Sequence, residues 1–159
     1  MNKIYLRTIL TKLIAMRFAI TFTPMTLSFK IKQSLPIVFT YLSDYEKFVS
    51  VHPIIFKITK NTDGSYKVFE KLKLGPIPIT FTYQTSIVSD IENKNITMIA
   101  CIMRFTKIEI QFNLTEENGY TVIDEVIQFK SPLPIKLIME RVFKKQHCLL
   151  FRNIENINK

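Results

Sequence analysis

Tryptophan is absent, and glycine, cysteine and histidine are scarce, with 3, 2 and 2 residues in a chain of 159. Each shortage excludes something. Three glycines leave no material for a glycine-rich phosphate loop, and neither GxGxxG nor GxxxxGK[ST] occurs. Two cysteines, Cys101 and Cys148, are too few for a disulfide scaffold. Both fall in apolar patterns and are expected to be small buried residues. The histidines, His52 and His147, form no HExxH, and no CxxC accompanies them. His147 adjoins Cys148, but neighbours on a helix diverge by about 100°, a poor chelate. No metal and no cofactor are expected. His52 and His147 sit on different elements, with no signature joining them to a Ser or Cys nucleophile. His52 precedes Pro53 and reads as a packing or capping residue. No catalytic residue is assigned.

Acidic residues are missing from the first 24 positions, which carry Lys3, Arg7, Lys12 and Arg17. Taking those four from the 22 basic residues leaves an excess of 5 over the 13 acidic ones. That remainder is a mildly positive surface, compatible with peripheral contact with an anionic membrane. Arginine totals only 5, and no strand pairs stacking aromatics with arginine, so nucleic acid is not expected as a partner. Lys12 and Arg17 also interrupt the apolar run, so residues 1–24 do not read as a membrane span. Three readings of this extension remain. Translation can begin at Met25, leaving the first 24 residues non-native or disordered. The segment can be an amphipathic membrane-surface helix, or a cleaved signal. The first is preferred, with a cytoplasmic location.

What is present is a patterned domain over residues 25–159. Leu27, Phe29 and Ile31 alternate with Ser28, Lys30 and Lys32, the mark of a half-buried strand over Leu27–Gln33. Ser34 and Pro36 signal a helix start. Asp44 is placed to cap a second short helix, and His52-Pro53 ends it. Strand patterns then run from Ile54 to Lys130, broken by turns at Asn61–Gly64, Gly75-Pro76, Asn93–Asn95 and Glu117–Gly119. Within Ser65–Leu74, Lys67, Lys71 and Lys73 share one face with Phe69 and mark the solvent side. Glu70 therefore points inward with Tyr66, Val68, Leu72 and Leu74. In Ile79–Asp90, Phe81, Tyr83 and Ile87 share a face. Ile108, Ile110, Phe112 and Leu114 alternate inward along the strand Thr106–Leu114. Glu125 shares a face with Ile123, Ile127 and Phe129, giving a second inward carboxylate. After Ser131–Pro134, a long amphipathic helix runs from Ile135 to about Ile157, its apolar side including Ile138, Met139, Val142, Phe143, Leu149, Leu150 and Ile154.

This order gives an α+β fold. A curved antiparallel sheet of six or seven strands wraps a long C-terminal helix, with one or two short helices after the first strand. A sheet and helix so arranged leave an apolar cavity unless large side chains fill it. The cavity candidates are Glu70, Tyr66, Tyr83, Phe112, Glu125, Phe129, Met139 and Phe143. A carboxylate among apolar neighbours has its pKa raised, which suits it to orient a ligand hydroxyl or carbonyl. The alternative for Glu70 or Glu125 is pairing with Arg104 or Lys130, or a place at a wet sheet edge.

Four pieces resemble the START/Bet-v-type helix-grip superfamily, also called SRPBCC, nearest to its polyketide cyclase-like and coenzyme Q-binding-like members. They are Ser34–Phe39, Leu42–Phe48, the His52-Pro53 exit, and Asp124–Phe129 leading through Pro132 into the last helix. The resemblance is architectural and covers about 85% of the chain, Met25 to about Asn158. It implies a cavity taking lipids, quinones, sterols or aromatic polyketides, and supplies no shared catalytic residue. Three functions follow as expectations. The first is binding or carriage of a small hydrophobic ligand. The second is a polyketide cyclase or dehydratase activity. The third is regulation through a macromolecular partner. The paucity of acids and bases on the inward faces favours the first.

Overall fold

A computed structural model describes residues 20–21, 24–74, 76–102, 106–132 and 136–157. The side chains of Ile20, Thr21, Leu74 and Lys136 are not described. The sequence expectations for Gly75, Arg104, Leu133, Pro134 and Ile135, and for residues 1–19 and 22–23, lie outside the described residues.

A two-residue strand, β1 (Ile20–Thr21), precedes β2 (Met25–Ile31), α1 (Leu35–Ser43) and α2 (Tyr45–Val51). The strands β3 (Ile55–Lys60), β4 (Tyr66–Leu74), β5 (Ile77–Asp90), β6 (Asn95–Ile102), β7 (Thr106–Glu117) and β8 (Tyr120–Ser131) follow. The helix α3 (Lys136–Glu155) comes last. Seven principal strands form one antiparallel sheet. The six from β3 to β8 pair in chain order, and β2 returns to pair with β8, from Met25 opposite Ile127 to Ile31 opposite Thr121. The expected α+β architecture, with two short helices after the first main strand, is the one observed.

Local chemistry explains the boundaries. The first main strand begins two residues earlier than its alternation suggests, because Met25 and Thr26 pair with Ile127 and Val126. It stops at Ile31 because the next backbone N–H, at Lys32, donates to the Glu155 carboxylate at 2.8 Å. The α1 start lacks the expected side-chain cap. Ser34 contributes its carbonyl to Ile37 and Val38, and Pro36 sits in the first turn, where a missing N–H costs nothing. Asp44 does cap α2, accepting from the Lys47 N–H at 2.9 Å. At the β7–β8 hairpin, Asn118 (φ 50°) and Gly119 (φ 78°) both take the left-handed conformation, which two-residue hairpins with the sheet's twist require.

The core lies between the sheet's inner face and the helices. Leu42, Val38, Ile96, Ile123, Phe112, Leu150, Phe151 and Ile154 are all buried there. Each such side chain contributes about 1.5–3 kcal/mol. Asn153 donates to the Val51 carbonyl at 2.8 Å and so ties α3 to the end of α2. Two expectations are corrected. Ile138 is exposed because the buried stripe of α3 runs through Gln146, His147, Leu150, Phe151 and Ile154, whose centre faces away from it. Cys101 and Cys148 are exposed, on the outer faces of β6 and α3, since strand alternation and helix period put their neighbours inside.

Of residues 1–24, only Ile20 and Thr21 pair among the described residues, with Ser131 and Lys130. A protein beginning at Met25 is therefore expected to melt within about 2–4 °C of the full chain, or about 1 kcal/mol. Thermal melts of both forms check this. A larger drop would mean that the extension is an integral part of the domain.

Candidate functional site

The concave face of the sheet does not close completely on α3. A cavity of about 100 Å³ remains. Its walls come from the inward residues of β3–β7, from α2 with the turn after it, and from one face of α3. At one end, Ala100, Ile102, Ile108, Ile110, Met139 and Phe143 make an apolar wall continuous with a small core cluster around Ile127 and Phe129. Toward β3–β5 the lining includes Glu70, Tyr83, His52, Gln146 and His147.

Glu70 reaches the cavity because β4 alternates and its lysines claim the outer face: Lys67, Lys71 and Lys73 are exposed. Tyr83, on the neighbouring strand, donates its hydroxyl to Glu70 Oε2 at 2.8 Å. Burial raises the Glu70 pKa, and the Tyr83 hydrogen bond and nearby His147 work against that rise. The Tyr83 phenol is pushed well above its ordinary value, by burial first and then by the Glu70 charge.

His52 does two jobs in one place. Its Nδ1 accepts from the backbone N–H groups of Ile55, at 3.1 Å, and Ile54, at 3.4 Å. That fixes the proton on Nε2 and caps the chain where α2 turns into β3. Burial, with His147 adding to it, holds its pKa at about 3, so the ring is neutral at physiological pH.

His147 lies on α3 against β8. Its Nδ1 stands 2.5 Å from Glu125 Oε1, and the two side chains are 4% and 0% exposed. The contact is close without being an aligned hydrogen bond, and neither carboxylate oxygen of Glu125 has another partner among the described residues. The ring is boxed by aromatics, with Phe143 edge-on at 5.2 Å, Phe112 at 6.2 Å and Phe151 at 6.3 Å. Gln146, beside it, has a buried Oε1 that likewise lacks a partner. Tyr45 completes the wall near β4; burial first, and then neighbouring Tyr66, push its phenol up to about 12.

Of the eight residues named from sequence, Glu70, Tyr83, Phe112, Met139 and Phe143 line the cavity. The other three do not. Tyr66 stacks on Tyr45 with ring centres 3.6 Å apart. Phe129 is buried behind Phe143, with ring centres at 5.6 Å. Glu125 faces inward as expected but is covered by α3, and its partner among the described residues is His147 rather than Lys130; the Arg104 alternative lies outside the described residues. The sequence reading missed His52, Gln146 and His147. A signal for the last two existed: Phe143, Gln146, His147, Leu150, Phe151 and Ile154 follow the helical repeat, so two polar residues occupy the buried stripe. Among the described residues no cluster of His, Cys, Asp and Glu could hold a metal ion. No described helix is long and apolar enough to cross a membrane.

No family model and no curated relative match the chain. Solved structures do. A START superfamily protein from Mycobacterium smegmatis is 14% identical, with a TM-score of 0.65 over 83% of this chain and 94% of that one. The Zhui aromatase/cyclase from Streptomyces sp. R1128 is 10% identical, with a TM-score of 0.61 over 84% and 91%. Norcoclaurine synthase from Thalictrum flavum is 12% identical, with a TM-score of 0.63 over 86% and 87%. The fold is thus the helix grip of these START-type structures.

Proposed function

We propose that this helix-grip chain binds a small hydrophobic ligand bearing a hydroxyl group, in the cavity under α3. The observation that carries the reading is the composition of that cavity: apolar walls with a few convergent polar groups, among them an open acceptor on Gln146. Sites of this kind are the usual places for small apolar molecules. Gln146 Oε1 is an acceptor without a protein donor among the described residues, and Tyr83 holds Glu70 through Oε2, so a ligand hydroxyl can donate to either side chain. Ligand pockets usually span about 300–1,000 Å³, whereas this cavity measures about 100 Å³. A single ring fits most readily. A lipid, sterol or polyketide requires Met139 and Phe143, both half-buried, to swing outward.

Native mass spectrometry of the purified protein shows directly whether a small molecule travels with it. Fluorescence displacement with 4-ethylphenol and ethylbenzene then tests the polar contact. Glu70→Gln should keep the fold, because the volume is nearly conserved. It should change affinity for 4-ethylphenol by about 1–3 kcal/mol, the cost of a poorly paired buried group. Ethylbenzene should be nearly indifferent. Equal affinities in all four combinations would remove Glu70 from the site.

A further inference from the structure

We propose that the same cavity is an acid–base site, in which Glu70 and the Glu125-held His147 move a proton between the α-carbon and the oxygen of a bound ketone. The inference rests on the binding reading above and goes beyond it, from holding a ligand to changing one.

The geometry has three parts. Glu70 lines the cavity and is oriented by Tyr83 through Oε2, so Oε1 is the oxygen assigned to the ligand. His147 has its Nδ1 against the buried Glu125 carboxylate, which does not line the cavity, so Nε2 is the nitrogen left for a ligand. The three surrounding phenylalanines fix the plane of its ring. A carboxylate behind an imidazole selects its tautomer and stabilises its cation, as in hydrolase triads. Here the buried carboxylate has no other partner among the described residues, so a proton on His147 is what compensates it. One wall thus carries a carboxylate with a raised pKa, placed as the base, and another carries an imidazole backed by a buried carboxylate, placed as the acid. Titratable groups set apart in this way mark acid and base roles.

The proton step balances without any co-reactant. Glu70 Oε1 takes a proton from the carbon next to the carbonyl, and that C–H electron pair becomes the enol double bond. The carbonyl π pair moves to oxygen, which receives the Nε2 proton of His147. Reversal returns the proton to carbon and restores the ketone. In D2O the Glu70 proton exchanges with solvent, and deuterium is left on carbon. Glu70 and His147 are the catalytic residues; Glu125 is a positioning residue.

Acetophenone, one ring with an exchangeable methyl group, is the probe. Its binding is read from saturable NMR shifts, and its exchange in D2O from loss of the methyl signal. The wild-type protein should bind it and exchange it about 100-fold faster than buffer, the usual lower range for a positioned acid or base. Glu70→Gln should still bind acetophenone, which has no hydroxyl to lose, while exchange falls to the buffer rate. The double variant Glu125→Gln/His147→Gln removes both charges together. It should lower the saturated exchange rate and leave the half-saturating concentration unchanged. Binding without faster exchange overturns the proton-transfer proposal and leaves the binding reading standing. Absence of binding overturns both. A folded Glu70→Gln protein that exchanges like wild type removes Glu70 as the base.

Discussion

Replacing His147 with alanine is expected to cost about 3–5 kcal/mol of folding stability, because it strands a buried charge. Glu125 is fully buried, and His147 is its one close partner among the described residues. No water reaches the carboxylate, so the loss is not offset by hydration. A surface pair such as Lys30–Glu117, with side chains 49% and 55% exposed, is worth far less, about 0–1 kcal/mol. The two effects separate in urea denaturation. Single variants His147→Ala and Lys30→Ala give the contrast. The double variant Glu125→Gln/His147→Gln shows its source: with both charges gone, most of the loss should be recovered, since neutral partners do not carry the ionic desolvation cost. If His147→Ala costs less than about 1 kcal/mol, Glu125 has another partner, and the ion pair does not hold α3 to β8.

The contrast between those two pairs also shows what a linear sequence can and cannot carry. Lys30 and Glu125 both sit in strands whose alternation is plain, so their sides of the sheet can be read residue by residue. The inward placement of Glu70 is legible for the same reason: Lys67, Lys71 and Lys73, an even number of residues apart, settle which face of β4 meets water. The order of strands, the cap at Asp44 and the Asn118-Gly119 turn follow from equally local rules. The partner of Glu125 does not. It stands 22 positions further on in a different element, and only the docking angle of α3 brings Nδ1 to the carboxylate. The helical repeat marks His147 as inward, yet a lone histidine on an apolar face gives no sign of what it will meet. The His52 role is also nonlocal in effect. Its cap on Ile54 and Ile55 is a short-range contact, whereas its place in the cavity wall depends on how β3 packs against β4. Tyr66 shows the reverse failure. Alternation puts it inward correctly, but Tyr45 arrives from α2 and covers it.

Phe112→Ala is the other large effect, about 3–5 kcal/mol, and its location gives it a second consequence. Phe112 is 1% exposed on β7, packed edge-on against Phe151 with ring centres 6.2 Å apart, and it also lines the cavity. Truncation removes the apolar burial of a whole ring and leaves a void that neighbours on a rigid sheet cannot fill. That void opens into the existing space rather than standing alone. The variant should therefore lose stability while admitting a bulkier apolar ligand than the wild-type protein accepts. Phe143, on the facing helix, is only half-buried, so Phe143→Ala should cost clearly less. Denaturant melts give the two losses, and displacement titrations with ethylbenzene and a two-ring hydrocarbon such as naphthalene give the change in preference. A large Phe112 loss with a shift toward naphthalene fits a ring that is both core and cavity wall. A loss as small as that of Phe143, or an unchanged preference for the smaller ring, would mean that the space beside Phe112 is not the one the ligand occupies.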